Sequence, residues 1–255
     1  MKRHHFITVL IICLFVNSVH SFESEEIDNV NIHDFIQEPL FVSLGSTCEV
    51  AHILKANGFR KAAFPFDWIT TIDSEKFLDI LNQDFKYFLD ESYLSVVDSG
   101  PGPLIHIYYH LELLHEGNFR GDLYQPNMQK LQSKYKRRIE RFRKLTEYQG
   151  KVVFLRTAYQ YSITDPHRYY HCAANLKISD EYSWKLYHAL QNLFPNLDFT
   201  LIIINHYTGD SVREEKRLND NLIKIKSNPY LEPSAKWEAY KEYLTSLRIM
   251  LKSES

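Results

Sequence analysis

Leu40-Phe41-Val42-Ser43-Leu44-Gly45-Ser46-Thr47-Cys48-Glu49 reads as a buried strand that bends into a helix. The apolar run Leu40–Leu44 is short and bounded by a turn signal, as a sheet-core strand is. Gly45 tolerates the positive φ that a sharp turn needs. Ser46-Thr47-Cys48-Glu49 fits the S-x-x-E capping box, in which Ser46 accepts from the Glu49 N–H and Glu49 reaches back. On that reading Cys48 is the second helical residue of a helix spanning Thr47 to Ala56, with Val50, Ala51, Ile53 and Leu54 on one face.

The position carries chemistry. A helix's first turn has unsatisfied N–H groups and the positive end of the macrodipole. Both stabilise a thiolate, and the same amides can hold an oxyanion. A strand-to-helix corner also lies at the C-terminal edge of the sheet, where open α/β folds bind ligands. The competing structural role is ordinary, since cysteine often packs as a small buried hydrophobe.

Working outward, three further apolar runs read as strands: Leu104–Tyr109, Val152–Leu155 and Phe199–Ile204, with Leu222–Ile225 as a weaker fifth. Helical patterns separate them. Residues 126–147 carry Tyr135, Ile139, Phe142 and Leu145 on one stripe. Glu181–Leu193 is another helix, and a last one starts near Pro233, with Trp237, Tyr240, Tyr243, Leu244, Leu247 and Leu251 as its stripe. Strands alternating with helices predict an α/β fold: a mostly parallel sheet flanked by helices on both faces. Ser99-Gly100-Pro101-Gly102-Pro103 is the strongest break and reads as a loop.

The 255 residues allow one domain. With 44% hydrophobic and 24% charged residues the chain has an ordinary globular balance, and a formal charge of -2 argues against nucleic acid as a partner. Residues 1–21 read as a signal peptide. Lys2 and Arg3 precede the apolar run Phe6–Val16, and Val19-His20-Ser21 suits cleavage. The run is short for a membrane span. Export without a stable span is therefore expected, with an uncleaved N-terminal anchor as the alternative. Residues 22–39 form a polar arm and 40–255 the domain.

Several side chains are candidates for a shared site. Asp67, within Pro65-Phe66-Asp67-Trp68, could orient a histidine or hold Arg60. Arg156 ends one strand, and Asn205 and His206 end the next, so Ser46, Arg156 and His206 are candidate substrate contacts. Asn205 suits the orienting position of a Cys-His-Asn triad. His167 and His171 have metal-like spacing with Cys172 adjoining, but Asp165-Pro166 marks a turn and no further ligand is evident, so no metal and no cofactor is expected. Cys48 and Cys172 could instead form a disulfide. The basic stretch Lys134–Arg138 reads as a solvated helix face.

The stretches Phe41–Cys48, Ala51-His52-Ile53-Leu54, Gly58-Phe59-Arg60 and Pro65–Trp68 resemble a family described as papain-like cysteine peptidases. Tyr135–Ile139, Val153–Thr157 and Leu201–His206 extend the likeness in order. The resemblance implies Cys48 as nucleophile and a histidine after the third apolar run. The family shows His-Asp-Phe there, whereas this chain has His110-Leu111-Glu112. His106 would share a strand face with His110, so either could be the base. A papain-like label implies an α+β fold with the cysteine helix first; the strand-helix alternation favours α/β. The expected function is thus a thiol hydrolase or acyl-transfer enzyme acting on a peptide or other acyl group. A non-catalytic secreted α/β module binding a glycan or protein is the alternative.

Overall fold

The computed structural model describes residues 30–35, 38–71, 73–96, 102–118, 127–158, 178–206, 214–227 and 242–248. Among these residues nine strands form two sheets. The larger has the order β1 (Leu40–Ser43), β6 (Val152–Ala158), β7 (Phe199–His206), β9 (Leu222–Ser227), β8 (Glu214–Asn219). Its first four strands run parallel, and β8 closes the edge antiparallel to β9. The smaller sheet is antiparallel: β2 (Thr70–Thr71), β5 (Leu111–Asn118), β4 (Gly102–His106), β3 (Leu94–Val96).

Strict alternation along the parallel strands explains the layers. Phe41, Val153, Leu155, Ile202, Ile204, Ile223 and Ile225 face one side. There they meet α1 (Glu49–Ala56) and the helical residues 242–248, α5, through Val50, Ile53, Leu54, Leu244 and Leu247. Leu40, Val42, Val152, Phe154, Leu201 and Ile203 face the other. They pack on α2 (Ser74–Asn82), α3 (Met128–Arg143) and α4 (Asp180–Leu193) through Phe77, Phe142 and Leu190, among others. Phe154 stacks on Phe194 with centroids 5.9 Å apart. The large sheet is therefore the α/β arrangement expected from the alternation, with helices on both faces. No helix among the described residues is long and apolar enough to cross a membrane.

The smaller sheet departs from the expectation. Leu104–Tyr109 is not a strand of the parallel sheet. Its strand β4 stops at His106, and residues 107–110 turn into β5, with His110 at φ 52°. His106 and His110 hence do not share a strand face. Within the arm before β1, Ile32–Phe35 forms a 3-10 turn, and Ile32 is buried in the main core.

Candidate functional site

The turn after β1 is built differently from the capping box. Ser46 sits at φ 92°, bridges Thr70 in the parallel sense, and accepts from the Thr71 N–H at 3.1 Å. This pairing draws Ser46 into the ladder of β2 and away from the helix. Thr47 Oγ1 accepts from the Glu49 N–H at 3.2 Å, and the N-cap position falls to Cys48, which makes no side-chain cap bond. Helix α1 consequently starts at Glu49, and Cys48 is the residue flanking it rather than its second. The Cys48 carbonyl still accepts from His52 N–H at 3.0 Å, so the thiol lies at the helix mouth. Cys48 is partly exposed, and it forms no disulfide among the described residues; the Cys172 of the alternative bridge lies outside them. Gly45, at φ 68°, is pressed under the Pro65–Trp68 loop: a Cβ there would lie 2.8 Å from the Phe66 carbonyl.

The loop itself is held by Asp67. Its Oδ2 accepts from Arg60 Nε and Nη2 at 3.0 and 2.7 Å and from Phe64 N–H at 3.0 Å. These contacts are with an arginine and a backbone amide, not a histidine. Arg60 also stacks over Trp68, and Trp68 meets the His52 ring edge-on at 4.9 Å. His52 stands one helical turn after Cys48, on the same face by the i, i+4 rule. That spacing was the sequence signal for a third imidazole near the thiol.

Beside this turn the small sheet supplies a second cluster. Thr71 pairs with Leu111, and His110 immediately precedes it. His110 Nδ1 lies 3.4 Å from Asp73 Oδ2, while Asp73 Oδ1 caps α2 by accepting from Glu75 and Lys76 N–H. One carboxylate thus fixes both a helix start and an imidazole orientation, which turns Nε2 away from Asp73. Sequence reading passed over Asp73; its place ahead of Ser74-Glu75-Lys76 was the cap signal, but α2 itself was not anticipated. Two ladder steps, Ser46 to Thr70–Thr71 and Thr71 to Leu111, separate the cysteine turn from this pair.

His106 has a different environment. It is fully buried. Its Nε2 is 3.0 Å from the Tyr87 carbonyl and its Nδ1 accepts from Tyr109 N–H at 3.3 Å. That pattern assigns the proton to Nε2. Burial pushes its pKa down, so it stays neutral, with both nitrogens engaged by backbone.

Arg156 is also fully buried. Nη1 donates to the Leu44 carbonyl at 2.8 Å and Nη2 to Thr71 Oγ1 at 2.9 Å, with the guanidinium 3.9 Å above the Phe77 ring. It ties the end of β1 to β2, and burial pushes its pKa down. No carboxylate pairs with it among the described residues. Asn205 ends β7, with β6 between it and β1. Its Nδ2 donates to Ile178 O at 3.5 Å, and its Oδ1 is buried without a partner. His206 pairs with Ser227 at the last rung of β7. Among the described residues no group of three His, Cys, Asp or Glu is arranged to hold a metal ion. His167, His171 and Cys172 lie outside the described residues.

Comparison with known families bears on this cysteine turn. Residues 39–209 match the family described as putative papain-like cysteine peptidase (DUF1796). The chain belongs to this family. The match runs from β1 to the end of β7, so it takes in the small sheet, the cysteine turn, the Asp73–His110 pair and Arg156, and leaves out β8 and β9. Among curated proteins, the chain is 36% identical over 59 residues to uncharacterized protein R408 of Acanthamoeba polyphaga mimivirus. That stretch is 23% of this papain-like family member and 26% of the viral protein. No solved structure matches.

Proposed function

We propose that this protein is a thiol hydrolase of its family in which Cys48 attacks a substrate carbonyl. His110, oriented by Asp73, takes the thiol proton and later returns it to the leaving group. The thiolate adds to the carbonyl carbon. The resulting oxyanion is met by the amides at the mouth of α1, the leaving group departs protonated, and water then releases the acyl group from sulfur. The observation that carries this reading is the partly exposed Cys48 thiol at a helix mouth, two ladder steps away from an imidazole that faces a carboxylate. Backbone strain supports it as well. Ser46 and His110 both hold positive φ without being glycine, and such outliers gather at functional sites. A peptide or other acyl group is the substrate, and export after loss of residues 1–21 is part of the same reading; N-terminal sequencing of the mature chain checks it.

The test is the pH dependence of Cys48 alkylation by iodoacetamide, followed by site-resolved mass spectrometry. The expected result is a midpoint below the ordinary thiol value of about 8.5, raised in His110→Ala and partly raised in Asp73→Asn. Hydrolysis of a fluorogenic protein substrate should disappear in Cys48→Ala. A midpoint that stays ordinary in the unaltered protein sinks the proposal. A midpoint that moves in His52→Ala but not in His110→Ala transfers the base to His52.

A further inference from the structure

Glu112 is a buried charged group without a partner among the described residues. It lies on β5 with 3% of its surface exposed, and Oε2 has no hydrogen-bond partner. No cation among the described residues pairs with it. Burial alone pushes its carboxyl up to about 7. A buried carboxylate without a partner is costly, and native chains supply one.

Its location gives the missing partner a chemistry. Across the small sheet Glu112 is in register with Thr70, and Thr70 is bridged to Ser46. Cross-strand partners share a face, so Ser46, Thr70 and Glu112 form one polar row that starts two residues from Cys48. Ser46 is fully buried too, and its Oγ likewise has no partner. The row therefore ends on two unpartnered oxygens whose backbones stand two strand spacings, about 10 Å, apart. The neighbours of Glu112 in the ladder, Thr70 and Ile105, bring no charge. A carboxylate and a hydroxyl are acceptors suited to an ammonium group, which has three donors and the opposite charge.

We infer that the Ser46–Thr70–Glu112 row binds a cationic, amine-bearing group of the substrate beside the Cys48 thiol, and that Glu112 sets this preference. The inference rests on Cys48 being the reactive group, and it names the class of substrate. A lysine side chain or a free α-amino group has the required chemistry; a neutral or acidic residue at that position leaves Glu112 unmatched.

Charged thiol reagents test it without knowledge of the natural substrate. Three methanethiosulfonates are compared on the full chain at pH 8.5: aminoethyl (cationic), methyl (neutral) and sulfonatoethyl (anionic). Labelling is quantified at Cys48 by mass spectrometry. The cationic reagent should react at least fivefold faster than the anionic one relative to their rates with free cysteine. Glu112→Gln should remove most of that ratio and Glu112→Asp should keep part of it. Ratios near one, or unchanged in Glu112→Gln, with Cys48 still reacting quickly, overturn the inference and leave the hydrolase reading intact. Labelling by all three reagents at the rate of an unactivated thiol overturns both.

Discussion

The two sheets of this protein obey different rules. The parallel sheet is apolar on both faces, its strands alternate between two cores, and the described side chains in its centre pack with few polar exceptions. The small antiparallel sheet and its turns hold a buried histidine, a partnerless glutamate, and a histidine in the left-handed region. The apolar core is concentrated in the first region, and the proposed chemistry lies at the seam between the two. The seam is tied by Arg156, which reaches from β6 to Leu44 and Thr71.

Substitutions at matched depths in the two regions should separate these roles. The largest loss is expected in the parallel sheet. Phe154→Ala empties a site among Phe142, Phe194 and Phe199 and should cost about 3 to 5 kcal/mol in urea unfolding. Almost as large is Gly45→Ala at the seam. It combines a strained left-handed conformation with a 2.8 Å clash on the Phe66 carbonyl, and should cost about 3 kcal/mol while slowing Cys48 alkylation. A loss much below that would mean the loop over Gly45 yields easily.

The small sheet should respond with the opposite sign. Glu112 titrates near 7 in the folded chain and near 4.5 unfolded. The folded state thus holds the proton more tightly, and stability falls as pH rises from about 4.5 to 7, then levels off. Glu112→Gln should remove this slope and stabilise the protein by about 2 to 3 kcal/mol at pH 8, with no gain at pH 4. Unfolding curves at the two pH values decide it. The smallest effect is expected at Asp73→Ala, which loses a helix cap worth about 1 kcal/mol. It should move the alkylation midpoint of Cys48 more than a change of that size in stability explains, because the partner of His110 goes with it. An unmoved midpoint would reduce Asp73 to a cap.

Much of the parallel sheet was legible in the chain because burial on both faces leaves continuous apolar runs. Val152–Leu155 and Phe199–Ile204 needed no context to be strands, and Asp180–Leu193 announced itself by its stripe. Of the small sheet only β4 was legible, read as Leu104–Tyr109. β2 is two residues, Thr70–Thr71, with no apolar signal. β5 carries Glu112 and His115, and its pairing comes from β4 rather than from its composition. Helix α2 was missed although Asp73 caps it. The same difference governs the site. Cys48 could be singled out from local sequence and His110, alongside His106, only through the family resemblance, whereas Asp73, the separation of His106 from His110, and the Ser46–Glu112 row depend on strand pairings between distant segments.

The sequence alone determined the alternation that builds the two-layered core, the turn at Gly45 and the cysteine at a helix mouth, because periodicity, glycine conformation and helix-end chemistry act within a few residues. Tertiary structure decided which residue caps that helix and which imidazole meets a carboxylate. It also decided which acid is buried without a partner. The reason is that a hydrogen bond or a desolvated charge is set by what lies across the ladder, and the ladder joins Ser46 to Thr70 and Thr71 to Leu111 only once the chain has folded.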